Sequence, residues 1–488
     1  MAAGFRPLLI ALSLLPLCAI AQDATQSIER VPDGELKAPF RIERIAGDLR
    51  VPWGLAFLPD GRIIFTERVG RVRVIAKDGK LIETPALTID VAQGNKMGML
   101  GIAQDPDFKK NEFIYIAYDY RITPAAGDAS PPFRMRIVRY KLDDDNKLVE
   151  PKVLIEDIPA SVNHTGCRLV FGPDGKLYIT TGDADRPPAS QQLNSLAGKI
   201  LRLNPDGSVP KDNPFVGKEG ARPEIWSYGH RNPQGLAFEP GTGRLLDTEH
   251  GPGGGDEINW IEKGANYGWP TIDHARTQEG MVSPVFEFTP SVAPGEALFY
   301  TGDAFPELKG KLLVACLRGE GLLRVDIENG KLTRIDRLFR QQFGRIRSIT
   351  QSPEGYIYLT TSMHDPNEGQ PLPTYDLVFR LVPENTPASG YPEITPPAPV
   401  PEQALPTGTM GIIARDCAGC HGPGLMGGGM APGLLNHKWK YATDNASLRK
   451  VIVNGLPDLG MQPNPQLTPE QVTAIIDYLH HASTPKRQ

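Results

Sequence analysis

Five stretches of the chain share one plan, and that plan restricts the fold more than any other feature of the sequence. GLAFLPDGRIIFTER (54–68), RLVFGPDGKLYITTGD (168–183), GLAFEPGTGRLLDTEHG (235–251) and SITQSPEGYIYLTTS (348–362) each run a short apolar strand into a Pro-x-Gly or similar turn, then out through a β-branched or aromatic strand. MLGIAQDPDFKKNEFIYIAYDY (99–120) follows the same plan with a longer turn. Each copy predicts a hairpin. Hairpins repeated at irregular spacing over about 350 residues imply radial repetition, a β-propeller, and the spacing suits about six blades. The 51 glycines and 47 prolines spread along the chain suit such a turn-rich β fold.

The pattern stops at residues 383–407, PENTPASGYPEITPPAPVPEQALPT, which read as a semi-rigid polyproline-type linker. Beyond it, residues 408–488 read as a small all-α unit. Thr468-Pro469-Glu470-Gln471 is a capping box with Pro at the first helical position, and Val472, Ile475, Ile476 and Leu479 follow at helical spacing. TGTMGIIARD, before Cys417, predicts another short helix.

The N-terminus reads as an export signal, with Arg6 as its charged start, Leu8–Leu17 apolar, and Ala19-Ile20-Ala21 as cleavage site. That run is too short to span a bilayer and no later segment is long enough, so no transmembrane segment is expected after cleavage. The expected organisation is 1–21 signal peptide, 22–382 propeller, 383–407 linker and 408–488 helical domain, working in the periplasm or outside the cell. A net charge of −5 without a Lys/Arg cluster excludes a nucleic-acid groove. Cys167 and Cys316 read as buried free thiols rather than a disulfide.

Cys417-Ala418-Gly419-Cys420-His421 has the spacing for covalent haem c attachment. Cys417 and Cys420 add to the vinyl groups, and His421 takes one axial iron position. No second cysteine pair is available to make this a zinc site. The sixth ligand should be soft. Met426, Met430 and Met461 are candidates, with His437 behind them. NGLPDLGMQPNP (454–465) resembles the loop that carries the axial methionine in class I cytochromes c, which favours Met461.

The haem needs an electron donor, and the propeller has polar stretches that strand packing does not require. They are NHTGCRLVFGPDG with His164, YGHRNPQGLAFEP with His230, Arg231 and Asn232, and TEHGPGGGDEINWIEKGANYGWP (248–270). LRGEG adds Arg318, and FGRIRSI adds Arg345 and Arg347. An arginine cluster at blade ends binds a polycarboxylate. A histidine beside it serves as general base. Gly251-Pro252 can offer carbonyl oxygens to a hard cation, with Glu249, Asp256 and Glu257 near in sequence.

These stretches, with LAGKILRLNPDG, NYGWP and SVAPGEALFYTGDAFPELKG, resemble the soluble pyrroloquinoline quinone (PQQ) dependent glucose and aldose sugar dehydrogenases of the glucose/sorbosone dehydrogenase family, over roughly residues 40–382. The resemblance implies that His164 takes the proton of the sugar C1 hydroxyl while hydride passes to PQQ. Arg231 lies by the reacting quinone oxygen. Lys96, Asn232, His250, Arg318, Arg345 and Arg347 line the PQQ site. The carbonyls of Gly251 and Pro252 hold Ca²⁺, and Glu257 with the Tyr267 carbonyl holds a second Ca²⁺. The chain departs from the pattern at four places, one of them His250, which stands where the glucose enzyme has a polar amide and is nearer to the aldose sugar dehydrogenase pattern. Lys96 stands where the glucose enzymes have glutamine, and Cys167 replaces a small residue. Asn163 precedes the base where some relatives carry aspartate, so it can orient His164 but cannot stabilise an imidazolium by charge.

The expectation is a periplasmic quinoprotein that oxidises an aldose at C1 to the lactone and passes electrons through its own haem to an external cytochrome, quinone pool or oxidase. A sorbosone-type aldehyde dehydrogenase is the alternative within the dehydrogenases. Outside that class stand a non-catalytic sugar-binding propeller and a Ca²⁺-dependent lactonase.

Overall fold

The computed structural model describes residues 25–28, 31–94, 96–123, 132–252, 254–289, 291–317, 321–340, 342–363 and 376–396, then 408–413, 417, 421, 425, 433–435, 439, 441–442, 444–456, 461, 464 and 467–482. The signal segment, Arg318, Cys420, Met426, Met430 and His437 lie outside the described residues.

Six sheets form a ring. Their innermost strands are Pro52–Phe57, Met99–Gln104, Gly166–Phe171, Pro233–Phe238, Pro294–Phe299 and Ile346–Gln351. Each packs on the next, and the last packs on the first, which closes the circle. This is the six-bladed propeller implied by the hairpin repeat. The sixth sheet is completed from the other end of the chain, where Phe40–Leu49 pairs antiparallel with Asp376–Pro383. Strand Gln26–Ile28 adds in parallel to the outer edge of the fourth sheet.

The repeated Pro-x-Gly marks the hairpin tip. Gly172 N donates to Lys176 O at 2.9 Å and Gly175 N to Gly172 O at 2.9 Å, and the same pair of bonds recurs at Leu58–Arg62 and Ser352–Tyr356. The turn needs the positive φ of +70° at Gly175, which costs glycine little. The hairpin of the fifth sheet escapes a pattern search. Its strands Pro294–Phe299 and Leu312–Cys316 are separated by a loop holding the 3₁₀ turn Pro306–Leu308, closed by Tyr300 N to Lys311 O at 2.9 Å.

A second repeated residue stitches blades together. Near the end of the second strand of three blades, a buried threonine donates to a carbonyl on the next blade. The bonds are Thr66 Oγ1 to Leu100 O (2.6 Å), Thr180 Oγ1 to Pro233 O (2.9 Å) and Thr248 Oγ1 to Gly295 O (2.7 Å). Apolar packing fills the space between sheets. One cluster joins Trp53, Leu100, Tyr115, Leu169 and Ile179 from three of them. Cys167 and Cys316 are buried free thiols in two different clusters, as expected.

The proline-rich segment does not leave the propeller at residue 383. Arg44 N donates to Pro392 O and Ile394 N to Ile42 O, each at 2.8 Å, so residues 392–394 extend the outer edge of the closing sheet. Beneath them the buried Glu43 accepts from Arg41, Arg380 and Ser389. Residues 397–407 lie outside the described residues.

In the C-terminal unit, helices Gly408–Ile412, Asn445–Asn454 and Pro469–Ala482 share a core of Ile413, Leu448, Ile452, Val472, Ile475, Ile476 and Leu479. The capping box forms as read, with Thr468 N donating to Gln471 Oε1 (2.8 Å) and Gln471 N to Thr468 Oγ1 (3.3 Å). Among the described residues no helix is long and apolar enough to cross a membrane.

Candidate active site

Loops at the ends of the inner strands bring the polar stretches together. The loop after strand Leu148–Pro159 carries His164, whose Nδ1 lies 2.8 Å from Asp183 Oδ1 and 3.5 Å from Asp185 Oδ1. Asp183 is fully buried, and its other oxygen accepts Trp269 Nε1 at 2.8 Å. Burial alone would raise this carboxyl. The charge and hydrogen bond of His164, the charge of Arg231 and the indole N–H outweigh it and hold Asp183 below its ordinary range. The approach depends on Gly182, where a Cβ would meet His164 O at 2.3 Å.

Asp183 corrects the reading of the base. Asn163 Nδ2 donates to Asp185 Oδ2 at 3.2 Å, and the charge behind His164 comes from Asp183 at the next strand end. With Nδ1 engaged by a carboxylate, Nε2 is the nitrogen left to accept a proton. A sequence signal for Asp183 existed. Acids close the second strands of other blades at Glu67 (TER) and Glu249 (TEH), and in TTGD the acid follows two residues after the matching Thr181.

Arg231 and Asn232 sit on a turn held by Glu249. Glu249 Oε1 accepts the backbone N–H groups of Arg231 and Asn232 (3.1 Å for the latter), and Oε2 faces His230 Nδ1 at 2.9 Å. Arg231 Nη1 donates to His250 O at 3.0 Å, and its guanidinium lies 5.3 Å from the Trp269 ring centre. The Asn232 side-chain oxygen accepts from Gly166 N (3.3 Å) and Gln234 Nε2 (3.0 Å). Gln234 in turn accepts Arg347 Nη1 at 3.4 Å.

His250 is where the cations converge. Burial pushes its imidazole well below the ordinary range, and the charges of Lys96, Arg347, Arg231 and His164 push the same way. It is therefore neutral, with Nε2 facing Pro294 O at 3.0 Å. Lys96 reaches this group from its own loop, which is tied to the base loop by Lys96 N to Val162 O at 2.9 Å. Arg345 is buried just before the strand that carries Arg347.

A small cavity runs beside these residues. Its walls include Arg231, His250, Gly251, Pro252, Glu257 and Tyr267. Gly251 closes a tight loop in which a Cβ would meet Gly255 O at 2.0 Å, so the backbone itself lines the wall. Glu249 and Glu257 face one another across paired strands. Burial and the charge of Glu249 raise Glu257 well above its usual range. Asp256 is excluded as a ligand, because its carboxylate already accepts Gly251 N, Ser291 Oγ, Val292 N and Ala293 N. In the C-terminal unit Cys417 packs against the helical core. Met461 pairs with Leu456 through backbone bonds of 2.8 and 3.1 Å.

Residues 49–370 match the family described as Glucose / Sorbosone dehydrogenase, and residues 406–479 match that described as Cytochrome C oxidase, cbb3-type, subunit III. The aldose sugar dehydrogenase of Escherichia coli is 35% identical over 342 residues, covering 66% of this chain and 90% of that protein. Quinoprotein glucose dehydrogenase B of Acinetobacter calcoaceticus is 38% identical over 301 residues, covering 56% of this chain and 61% of that protein. Among solved structures, the PQQ-bound aldose sugar dehydrogenase of Streptomyces coelicolor superposes with a TM-score of 0.60 at 30% identity, covering 71% of this chain and all of that one (100%).

Proposed function

The chain belongs to the glucose/sorbosone dehydrogenase family and carries a cytochrome c domain, and from that premise we propose that it oxidises an aldose at C1 to the lactone with PQQ and Ca²⁺, then passes the electrons to its own haem c. Residues 22–382 carry the sugar chemistry, 383–407 connect, and 408–488 carry the haem. The work takes place in the periplasm or outside the cell, and an external acceptor drains the haem.

The observation that carries this reading is the placing of a carboxylate-backed histidine beside a ring of cations. His164 Nε2 takes the C1 hydroxyl proton, and Asp183 stabilises the imidazolium that results. When bound, PQQ supplies the two-electron acceptor for the hydride, and haem c supplies one-electron steps. Lys96, Arg231, Arg345 and Arg347, with Asn232, hold and orient the cofactor's carboxylates and carbonyls. Arg318 belongs to the same set by sequence. Neutral His250 packs against the cofactor without adding charge. The carbonyls of Gly251 and Pro252 hold Ca²⁺, and Glu257 with the Tyr267 carbonyl holds a second. The buried, like-charged Glu249–Glu257 pair suits a nearby cation. Cys417 and Cys420 would anchor the haem, and His421 and Met461 would supply the ligands to its iron.

The test is a visible spectrum of haem-loaded protein after adding PQQ, Ca²⁺ and a panel of aldoses. Reduction of the haem bands should require all three. If dithionite reduces the haem while no sugar does, with an artificial acceptor also idle, the dehydrogenase reading is wrong. If the artificial acceptor turns over and the haem stays oxidised, only the internal transfer is wrong.

A further inference from the structure

His230, Asp247 and Glu249 form a second imidazole–carboxylate group, of which His230 and Asp247 have no part in the sugar chemistry. His230 and Asp247 are completely buried and Glu249 is 3% exposed. His230 Nδ1 lies 2.9 Å from Glu249 Oε2 and 3.6 Å from Asp247 Oδ2, and one ligand atom from each residue falls within 4.8 Å of the others.

The far sides of two members are already held. His230 Nε2 is 2.8 Å from Ser227 Oγ, and Glu249 Oε1 accepts the amides of Arg231 and Asn232. The Tyr267 ring stacks on the imidazole at 4.7 Å. Asp247 differs. Neither of its oxygens meets a donor at full hydrogen-bond geometry among the described residues, the neutral Asn259 amide opposite it on the next strand easing its charge only from beyond that geometry, although the side chain is wholly out of water. A desolvated carboxylate without a donor calls for a positive partner. In a tetrahedral site with bonds of about 2.0–2.1 Å, ligand atoms are roughly 3.3 Å apart. The separations of 2.9 and 3.6 Å bracket that value. A nitrogen with two carboxylates suits a first-row divalent ion, whereas Ca²⁺ takes an all-oxygen shell.

We propose that His230 Nδ1, Asp247 and Glu249 bind a first-row divalent metal ion of the Zn²⁺ class, distinct from the Ca²⁺ of the cleft. The Nδ1 proton leaves on binding, and the ring stays in the Nε2–H form that donates to Ser227. Ser227 and the two amides are the outer partners that orient ligands in built metal sites. The ion pins the turn that carries Arg231 and Asn232.

The experiment strips full-length, haem-loaded protein with a chelator, restores excess Ca²⁺ with one equivalent of Zn²⁺, desalts, and counts zinc per haem iron by mass spectrometry. The wild type should keep close to one zinc per chain, and Asp247→Asn less than a tenth of that. Ser227→Ala keeps every ligand and should bind about 10–100-fold more weakly. His164→Asn should keep its zinc. A wild type that keeps less than a tenth, or an Asp247→Asn variant that matches it, overturns the proposal. So does zinc lost from His164→Asn and kept by Asp247→Asn, which would put the ion at His164, Asp183 and Asp185. If Asp247→Asn does not fold, zinc-edge absorption of the wild type decides. One imidazole and otherwise oxygen is expected, and a second imidazole or any sulfur refutes the site.

Discussion

Replacing Asp183 with asparagine keeps its shape and removes the charge behind His164. The carboxylate is 2.8 Å from Nδ1 and fully buried. At an effective dielectric of about 20, a unit charge pair at that distance attracts by about 6 kcal/mol. The amide dipole and local relaxation recover part of this, which leaves about 4–6 kcal/mol missing when the imidazolium forms. At 1.4 kcal/mol per decade, kcat/KM should fall by about 10³–10⁴. The assay follows sugar oxidation with an artificial two-electron acceptor, so that haem transfer does not enter. PQQ binding, read from its absorbance, should change little, because Asp183 touches His164 and Trp269. The pH dependence of folding gives an independent check. Asp183 sits below its ordinary value near 3.8 in the folded chain, so its stabilisation is complete above that value. It fades as pH falls through the lower folded value. Asp183→Asn should lack that acid loss in urea unfolding. An Asp183→Asn enzyme within tenfold of wild type at neutral pH, with PQQ and Ca²⁺ bound, would falsify the assignment of Asp183 as the charge behind the base.

Thr180→Val keeps the shape of an inter-blade stitch and orphans two buried groups, Arg168 N and Pro233 O. It should cost about 2–4 kcal/mol in denaturant unfolding, whereas Thr180→Ser should recover most of it, and equal losses in both would mean that the methyl, not the hydroxyl, matters. Met461→Ala should lower the haem potential, each 59 mV shifting electron sharing about tenfold. An unchanged potential in a redox titration would move the axial role to another residue.

Much of the fold was legible because hairpin chemistry is local. Pro-x-Gly at a tip, apolar alternation on either side and Thr468–Gln471 at a helix start each act within a few residues, so a one-dimensional pattern reports them. The hairpin of the fifth sheet was not legible because an inserted loop and 3₁₀ turn break its spacing. Nor was the hold of residues 392–394 on strand Phe40–Leu49. Its two backbone bonds join positions some 350 residues apart, and proline-rich composition reads the same whether a segment is docked or free.

The site divides along the same line. Residue types and spacing pointed to a covalent haem at Cys417–His421, to a histidine base beside an arginine cluster, and to cations at Arg231, Arg345 and Arg347, while the family resemblance singled out His164 and added Lys96. Which carboxylate stands behind the base was a tertiary matter. Asn163 is adjacent in the chain, yet Asp183, nineteen residues on, makes the contact, because the base loop folds back over the end of strand Leu177–Thr181 at Gly182. The same closure leaves Asp256 consumed by four hydrogen bonds and Asp247 with none among the described residues, although both are buried acids on neighbouring strands. Charge and chain order do not distinguish those two aspartates. What separates them is which donors the folded backbone brings within 3 Å of each oxygen, and only the packed blades set that.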